Sequence, residues 1–442
     1  MTWYATATFL TVALTSYARF TLASAIPLAP NIDWFPCPQN ASIATTCGTL
    51  LVPLDYTAPT CDKALTLQLV KIKATSQPSK GSIIFDFGGP GNINVDTFSG
   101  GDAEALLLMT GGVYDLITFD SRGTGITLPY SCYETPAARA AGASSIALGL
   151  NGSHAAIEEV WTDAEELSVA CQENVGQIGQ LVGTSFVARD IMQIVDALGG
   201  DKLLKYYGFS YGTALGATVA AMFPDRIDKL VLDGVDNPTN YCAGSFKSFL
   251  HDTDATFSAF FTGCIESPQL CALARMDDSE DVAISLLECA RWKLRSKERY
   301  TATFNDIWTK FPALIVGNSI DPTTPLISAR NLSEGFKGSV LLQNNGYGHT
   351  TIASPSLCTS KHIRTYLVDE TLPLAGTICE SITSTAPFAF DGSYYEVIKP
   401  LGNITKRSVG GKGEDYDDEA LFRAVREFGK AFAQRKLGRR EG

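Results

Sequence analysis

The pentapeptide Gly208-Phe209-Ser210-Tyr211-Gly212 constrains this chain more than any other segment. A β-rich apolar run at residues 203–207 precedes it, and a stretch of small and apolar residues with helical character follows at residues 213–222. Glycines two positions before and after a serine permit the close packing of a sharp strand-to-helix turn, which exposes the serine hydroxyl. G-x-S-x-G alone is weak evidence, but this strand-turn-helix context is the one that the motif requires. The sequence therefore predicts a nucleophile elbow with Ser210 as the nucleophile.

A nucleophilic serine needs a base and an acid that orients the base. The chain has four histidines, at positions 154, 251, 349 and 362. On an elbow of this kind the acid and then the base follow the serine, each on a loop after a strand. Asp321 follows the apolar run 312–316 on a Pro-rich polar loop, and His349 follows a predicted strand at 339–343 on a Gly-rich loop. We expect Asp321 as the acid and His349 as the base, since the other histidines precede Asp321 or lie in a helix-like stretch.

Stabilisation of an oxyanion needs preorganised N–H donors. The apolar run at residues 83–87 ends in Gly88-Gly89-Pro90-Gly91, where glycines leave the backbone amides unobstructed. We expect the N–H groups of Gly89 and Tyr211 to form the oxyanion hole. Gly-Gly-Pro-Gly is also an ordinary loop sequence, so it is the combination with the elbow that favours this interpretation.

Strand-like and helix-like segments alternate from residue 82 onward, which predicts an α/β fold with a doubly wound, mostly parallel sheet. Residues 34–74 predict an antiparallel strand pair before it, and a change of phase near Leu69 and Val70 predicts a bulge or a bend. Five segments are expected: a signal peptide at 1–25, the N-terminal part of the core at 26–235, a short helical cap at 236–310, the C-terminal part of the core at 311–405, and a polar, partly helical tail at 406–442. The helical part of this tail is expected to be either a solvated helix or a flexible end.

The composition is that of a compact protein, with 45% hydrophobic and 19% charged residues. The net charge of −12 disfavours nucleic acids and anionic membrane surfaces as partners. Residues 1–25 contain an apolar run and end in Ala23-Ser24-Ala25, a cleavage pattern typical of a signal peptide. We therefore expect a secreted protein with no membrane association in its mature form.

Eleven cysteines agree with an oxidising compartment, and none shows zinc-ligand spacing, so we expect no metal site. The candidate disulfides are Cys37–Cys47, Cys132–Cys171, Cys264–Cys271 and Cys358–Cys379. N-glycosylation sequons begin at Asn40, Asn151, Asn331 and Asn403. Sequons also arise by chance, so they support the prediction of secretion without proving it.

Five motifs follow one another along the chain: Gly88-Gly89-Pro90-Gly91, Asp120-Ser121-Arg122-Gly123-Thr124-Gly125, Gly208-Phe209-Ser210-Tyr211-Gly212-Thr213, Asp321-Pro322-Thr323-Thr324-Pro325 and Gly348-His349. With them, residues 34–380 resemble the tripeptidyl-aminopeptidase-like (TAP-like) branch of the α/β-hydrolases, which is related to the proline iminopeptidases. Phe87 stands where the latter have a histidine, so the TAP-like branch is the better match. The resemblance implies an α/β-hydrolase fold, serine hydrolase chemistry without a cofactor, and structural roles for Asp120 and Arg122.

The resemblance also implies a peptidase that acts at the amino-terminal end of short peptides. A Ser-His-Asp triad serves esters and amides alike, so an esterase or amide hydrolase of small molecules, for example in a biosynthetic pathway, stays open. The cap is short compared with that of the family, which means either that the substrate differs or that an exon is missing. The short cap also leaves open the alternative that the chain is a non-catalytic binding protein with a hydrolase fold. The expected partner is a short peptide or a small amide or ester.

Overall fold

In a computed structural model of the chain, the described residues are 31–37, 45–58, 63–98, 103–144, 156–245, 247–266, 295–381 and 418–438. This part contains one sheet whose strands are β1 (Asp33–Pro36), β2 (Thr45–Pro53), β3 (Ala64–Ile72), β4 (Ser82–Asp86), β5 (Asp115–Phe119), β6 (Leu204–Phe209), β7 (Ile227–Asp233), β8 (Leu314–Ile320), β9 (Val340–Tyr347) and β10 (Ile378–Glu380). The spatial order is β1-β2-β3-β5-β4-β6-β7-β8-β9-β10.

The helices are α1 (Asn94–Phe98), α2 (Ala103–Met109), α3 (Pro136–Ser144), α4 (Ala156–Gly179), α5 (Thr184–Leu198), α6 (Tyr211–Met222), α7 (Pro238–Ala243), α8 (Thr253–Glu266), α9 (Leu326–Gly335), α10 (Thr350–Ala353), α11 (Leu357–Asp369) and α12 (Asp418–Gly438). Strands β1 to β3 are antiparallel, and so is the β3–β5 pair, whereas every pairing from β5 through β4 to β10 is parallel. Parallel neighbours need crossover connections, and helices supply them. The prediction of a doubly wound, mostly parallel sheet is confirmed.

Helices cover both faces of the sheet, and each face has its own core. One core combines α5, α6 and α9 with the sheet, and the other combines α2, α11 and α12 with it. The central strands β6 and β7 are buried along their whole length, as expected for parallel strands covered on both faces.

Of the two alternatives predicted near Leu69, a bulge or a bend, the bulge is wrong. β2 and β3 pair without a register shift, with Cys47 opposite Val70 and Gly48 opposite Leu69. Leu69 faces the core of α5 and α6, while Val70 and Ile72 face the opposite core. The apolar phase changes because the second half of β3 pairs with β5 and is covered on both faces.

The predicted cap region contains α7, a 3₁₀ turn at Lys247–Leu250 and α8, whereas residues 267–294 lie outside the described ranges. Asp252, just before α8, accepts a hydrogen bond from the backbone N–H of Asp321 at 3.4 Å. This contact joins the start of α8 to the loop after β8. The division of the chain into five segments stays a prediction.

The expectation of a solvated tail differs from the structure at α12. Leu421, Val425 and Phe428 on this helix are buried in the same core as α2 and α11. The charged residues that suggested solvation occupy the opposite side, where Arg423 and Glu419 form an exposed ion pair at 3.2 Å. None of the helices in the described ranges is both long and apolar enough to cross a membrane.

Three of the candidate disulfides are confirmed: Cys37–Cys47, Cys132–Cys171 and Cys358–Cys379. The side chains of the fourth pair, Cys264–Cys271, lie outside the described part of the chain. Residues 1–25 and the sequons at Asn40, Asn151 and Asn403 also lie outside it. Asn331 is exposed on α9. Its glycosylation, like that of the others, stays a prediction.

Candidate active site

Ser210 lies on a sharp turn between β6 and α6 and has a φ of 56° and a ψ of −125°. A non-glycine residue with positive φ is strained, and such strain is concentrated at functional sites. The flanking glycines are needed for space. A Cβ atom on Gly208 would lie 2.3 Å from the carbonyl oxygen of Gly212, and one on Gly212 would lie 2.6 Å from the carbonyl oxygen of Asp86. Only glycine fits at these two positions, and the sequence can form the elbow because it has glycine at both.

The loop after β4 packs directly against the elbow. A Cβ atom on Gly88, whose φ is +81°, would lie 2.5 Å from the carbonyl oxygen of Phe209 and 2.9 Å from the Ser210 Cβ. Within the described part of the chain, no acceptor is recorded for the N–H groups of Gly89 and Tyr211. Both amides are adjacent to the elbow, so they can serve as oxyanion donors, although their role stays a prediction.

The side chain of Asp86 holds the loop after β4 in place through hydrogen bonds. Its Oδ1 accepts a hydrogen bond from the Gly88 N–H at 2.8 Å, and its Oδ2 accepts one from the Asn94 side chain at 3.1 Å. The Asn94 Oδ1 accepts in turn from the Phe87 N–H at 3.2 Å. Burial raises the pKa of Asp86 to about 6, although the hydrogen bonds from Gly88 and Asn94 act to lower it.

Asp321 and His349 are brought together at the ends of β8 and β9. The His349 Nδ1 lies 3.1 Å from both carboxylate oxygens of Asp321, which is fully buried. Backbone N–H groups of Thr323, Thr324 and Thr350 donate to the same carboxylate at 2.8–2.9 Å. Burial acts to raise the pKa of Asp321, but His349 and these donors outweigh it and lower the pKa below its usual value. The ionised carboxylate can therefore hold the imidazole with its Nε2 free for proton transfer.

The hydroxyl of Thr324 adds a contact that the sequence did not single out. It donates to the Asp321 Oδ2 at 2.7 Å and lies 3.0 Å from the His349 Nδ1. The side chain therefore touches both members of the pair and limits their movement relative to each other.

The loop that carries His349 is supported by a network of buried amides. The Asn318 side chain donates to the backbone carbonyls of Gly348 at 2.8 Å and Thr350 at 2.7 Å. The Asn344 side chain donates to the Asn318 Oδ1 at 2.8 Å. Strand β9 extends to Tyr347, beyond the predicted end at residue 343, because Asn344 pairs with Asn318 of β8 inside the sheet.

Asp233, at the end of β7, links the elbow to the histidine loop. Its backbone carbonyl accepts from the Ser210 N–H at 3.1 Å, and its Oδ1 accepts from the Thr351 N–H at 3.0 Å. The Thr351 hydroxyl donates to the other carboxylate oxygen. Among the described residues no hydrogen bond is recorded between Ser210 and His349 themselves. Such contacts are often long in free enzymes and shorten when substrate binds.

Arg122 and Asp190 form a fully buried, two-point ion pair. The Arg122 Nε and Nη2 donate to the two Asp190 oxygens at 2.6 and 2.8 Å, and the Tyr56 hydroxyl donates to the same carboxylate at 2.7 Å. Asp120 accepts from the Val95 N–H at 3.1 Å. These contacts support the structural roles that the resemblance implies for Arg122 and Asp120.

Asp233, Asn318, Asn344 and Thr324 were not predicted as parts of the site. They are polar residues at or near the ends of β7, β8 and β9, and a polar side chain at the end of an apolar strand is the signal that could have indicated them. One further cluster brings His362 close to Cys358 and Cys379. Their sulfurs are joined in a disulfide and are not free thiolate ligands.

Comparison with known proteins agrees with the resemblance. The family description "alpha/beta hydrolase fold" matches residues 83–266, and "TAP-like protein" matches residues 277–379. The tripeptidyl aminopeptidase of Streptomyces lividans is 32% identical over 224 residues, which are 49% of this chain and 41% of that protein. The serine protease Hip1 of Mycobacterium tuberculosis is 31% identical over 219 residues, 48% of this chain and 41% of that protein.

Among solved structures, a putative hydrolase from Agrobacterium vitis S4 is similar with a TM-score of 0.39 and 13% identity, covering 73% of this chain and 97% of that one. The match to each of the two curated relatives, the aminopeptidase and Hip1, covers 41% of that relative's length, so the chain spans well under half of either protein. The sheet topology, the ordered motifs and both family descriptions agree. The chain has the α/β-hydrolase fold, and its residues 277–379 match the TAP-like family description.

Proposed function

We propose that this protein is a serine hydrolase that acts as a peptidase at the amino-terminal end of short peptides. The observation that carries the proposal is the buried Asp321–His349 pair, with its 3.1 Å contacts, on loops that Asp233 ties to the elbow of Ser210. This arrangement supplies a nucleophile, a base and an orienting acid, the three roles that acyl transfer needs.

In the proposed mechanism, the Ser210 Oγ attacks the substrate carbonyl carbon while His349 takes the hydroxyl proton. The N–H groups of Gly89 and Tyr211 donate to the oxyanion that develops. His349 then returns the proton to the leaving amine as the C–N bond breaks, which leaves an acyl-enzyme ester on Ser210. A water molecule attacks this ester with His349 again as the base, and the free acid and the serine hydroxyl are regenerated.

Support for a peptide substrate comes from the relatives, which are named as a tripeptidyl aminopeptidase and a serine protease. The same residues would hydrolyse an ester, so substrates must separate the two activities. We expect higher kcat/KM for aminoacyl amides with a free α-amine than for their N-acetyl counterparts. A large preference for esters that ignores the α-amine would contradict the peptidase proposal.

We also propose that the protein is secreted. The support is the cleavage pattern at Ala23-Ser24-Ala25 together with disulfides that join distant segments, such as Cys132 to Cys171 across 39 positions. Disulfides of this kind persist in oxidising compartments. Intact-mass analysis of the protein from culture medium, with and without glycosidase, would test both cleavage after Ala25 and the use of the sequons.

A fluorophosphonate probe tests the catalytic proposal without presuming a substrate, because it labels only an activated serine. We expect one adduct on the folded wild-type protein and none on Ser210→Ala. Heat-denatured wild-type protein is the matched control and should not be labelled. A folded wild-type protein that takes up no probe would overturn the proposed mechanism and favour the non-catalytic binding protein.

A further inference from the structure

A buried threonine on the far side of β9, Thr359, is connected by hydrogen bonds to the loop that carries His349. Thr359 lies in the first turn of α11 and is only 1% exposed. Its hydroxyl donates to the Asn344 Oδ1 at 2.7 Å, and within the described part of the chain no other donor to that oxygen is recorded. The proposed mechanism gives Thr359 no role.

The two backbone carbonyls that flank the base fix the direction of these hydrogen bonds. A carbonyl oxygen can only accept, so the Asn318 amide must present its Nδ2 to Gly348 and Thr350, at 2.8 and 2.7 Å. The Asn318 Oδ1 then faces the Asn344 Nδ2 at 2.8 Å, which leaves the Asn344 Oδ1 toward Thr359. Thr359 must therefore be the donor, and rotation of either amide by a half-turn would bring two acceptors or two donors together.

The start of α11 is anchored beside the strand that carries Asn344. Cys358, which precedes Thr359, forms a disulfide with Cys379 of β10, and Cys379 is paired in register with Asn344 of β9. The hydroxyl of Ser356, the N-cap residue of α11, donates to a backbone carbonyl of β10 at 2.6 Å. A covalent bond and a hydrogen bond thus hold the Thr359 hydroxyl against the amide of Asn344.

Burial makes each hydrogen bond in this series important for the next. Asn318 and Asn344 are fully buried, so water cannot replace a donor that is lost. Without the Thr359 hydroxyl, the Asn344 oxygen has no donor, and both amides must shift to find one. Because the Asn318 amide holds the backbone on both sides of His349, such a shift moves the imidazole relative to Asp321, which it contacts at 3.1 Å.

We propose that Thr359 is a positioning residue for the base. Its hydroxyl sets the orientation of both amides and thereby holds His349 against Asp321. The inference rests on the proposed hydrolase function and extends its machinery to a residue that contacts neither the imidazole nor the nucleophile. Thr359 acts on the rate at which the base activates Ser210.

The first test compares Thr359→Val, which keeps the shape and loses the hydroxyl, with Thr359→Ser, which keeps the hydroxyl and loses the methyl group. The readout is the rate of fluorophosphonate labelling. We expect Thr359→Val to be labelled about 10- to 100-fold more slowly than wild type, but still to one adduct per molecule. Thr359→Ser should stay within about threefold of wild type.

A role of Thr359 in packing alone predicts the reverse order of the two variants, so a larger loss in Thr359→Ser would overturn the inference. A lower final labelling of Thr359→Val at the wild-type rate would also overturn it, because that result indicates a partly unfolded protein. Thr365→Val is the matched control on the same helix, since no hydrogen bond of the Thr365 hydroxyl is recorded in the described ranges. It should be labelled at the wild-type rate.

Backbone hydrogen exchange keeps failure of this inference apart from failure of the proposed function. The Thr350 N–H, which donates to Asp321 at 2.9 Å, should exchange at least about tenfold faster in Thr359→Val. The Thr324 N–H, which donates to the same carboxylate at 2.8 Å, should keep its wild-type rate. A wild-type protein without labelling would overturn only the proposed function. Unchanged exchange at Thr350 in Thr359→Val would overturn the inference whether or not the protein hydrolyses anything.

Discussion

Asp321 accepts hydrogen bonds from Thr323, Thr324 and Thr350 in addition to that of His349. At the residue scale, this set of donors explains how a fully buried carboxylate stays ionised: three backbone N–H groups and one hydroxyl replace the water that burial removes. It also fixes the carboxylate in one orientation. The pair is therefore preorganised before substrate arrives, which is what efficient proton transfer requires.

Thr324→Val tests that preorganisation. The substitution keeps the shape and the backbone N–H but removes the hydroxyl that contacts both Asp321 and His349. We expect kcat to fall about 10- to 100-fold with KM almost unchanged, because the lost contact orients the base and does not bind substrate. Thr323→Val is the control, since it retains the backbone donor and no contact of its hydroxyl is recorded in the described part. Equal losses in the two variants would argue against this role.

Gly88→Ala and Gly91→Ala separate backbone strain from steric contact with the elbow. Both glycines have positive φ, +81° and +106°, but a Cβ on Gly88 would meet Phe209 and Ser210, whereas none of the described atoms lies within 4 Å of one on Gly91. We expect both variants to be destabilised by about 1–2 kcal/mol of strain. Only Gly88→Ala should lose fluorophosphonate labelling, at least about 100-fold, because the elbow must move. Equal labelling of the two variants would contradict this close packing.

The residues that the sequence could predict are those whose positions follow from local rules. Ser210 was predictable because Gly208 and Gly212 meet a local steric requirement, and Asp321 and His349 because each follows an apolar strand in the expected order. Asp233 and Asn344 were not, since each lies in a strand and its role depends on a neighbouring strand that local pattern does not identify.

At the scale of elements, the errors have a common physical origin. The phase change in β3 resembled a bulge because the sequence does not show that its second half is covered on both faces. Likewise α12 resembled a solvated helix because its charges conceal an apolar side that α2 and α11 cover. Alternation and charge report the exposure of a segment only when it has one buried face. The core strands β6 and β7 were evident because each contains a short apolar run next to a turn.

Phe428→Ala tests whether α12 stabilises the fold. The Phe428 ring is 3% exposed and lies edge-on to Phe87, with centroids 6.5 Å apart. Phe87 directly precedes Gly88 in the loop after β4. We expect the free energy of unfolding to fall by about 3–5 kcal/mol, the range for truncation of a buried aromatic residue. Arg423→Ala, on the exposed side of the same helix, should change it by less than about 0.5 kcal/mol. Urea denaturation measures both, and similar values would mean that α12 does not contribute to the core.

At the scale of the whole molecule, buried carboxylates shape the dependence of stability on pH. Burial raises the pKa to about 6 for Asp86 and Asp233 and to about 7 for Asp236, from the ordinary value of 3.8. Between pH 4 and 7 the folded protein therefore binds more protons than the unfolded chain, so stability falls as pH rises. Asp321 has a lowered pKa and acts in the opposite direction, losing its contribution as pH falls below about 4.

We therefore expect the melting temperature to be highest near pH 4–5 and to decrease steadily toward pH 8. The net charge of −12 adds self-repulsion in the same direction. Differential scanning calorimetry across this range provides the measurement. The decrease in melting temperature should be smaller in Asp236→Asn, because this variant lacks the carboxyl group with the highest of the three raised pKa values. A melting temperature that rises from pH 5 to pH 8 would show that the buried carboxylates do not dominate.

The position of Asp233 has a consequence for how the site forms. Its carbonyl holds the elbow and its carboxylate holds the histidine loop, so two segments more than 100 positions apart share one strand end. Neither segment can be in place while β7 is out of register, and both gain their anchors when β7 docks. A refolding molecule should then acquire a competent nucleophile and a competent base in one step, so that recovery of activity coincides with docking of β7.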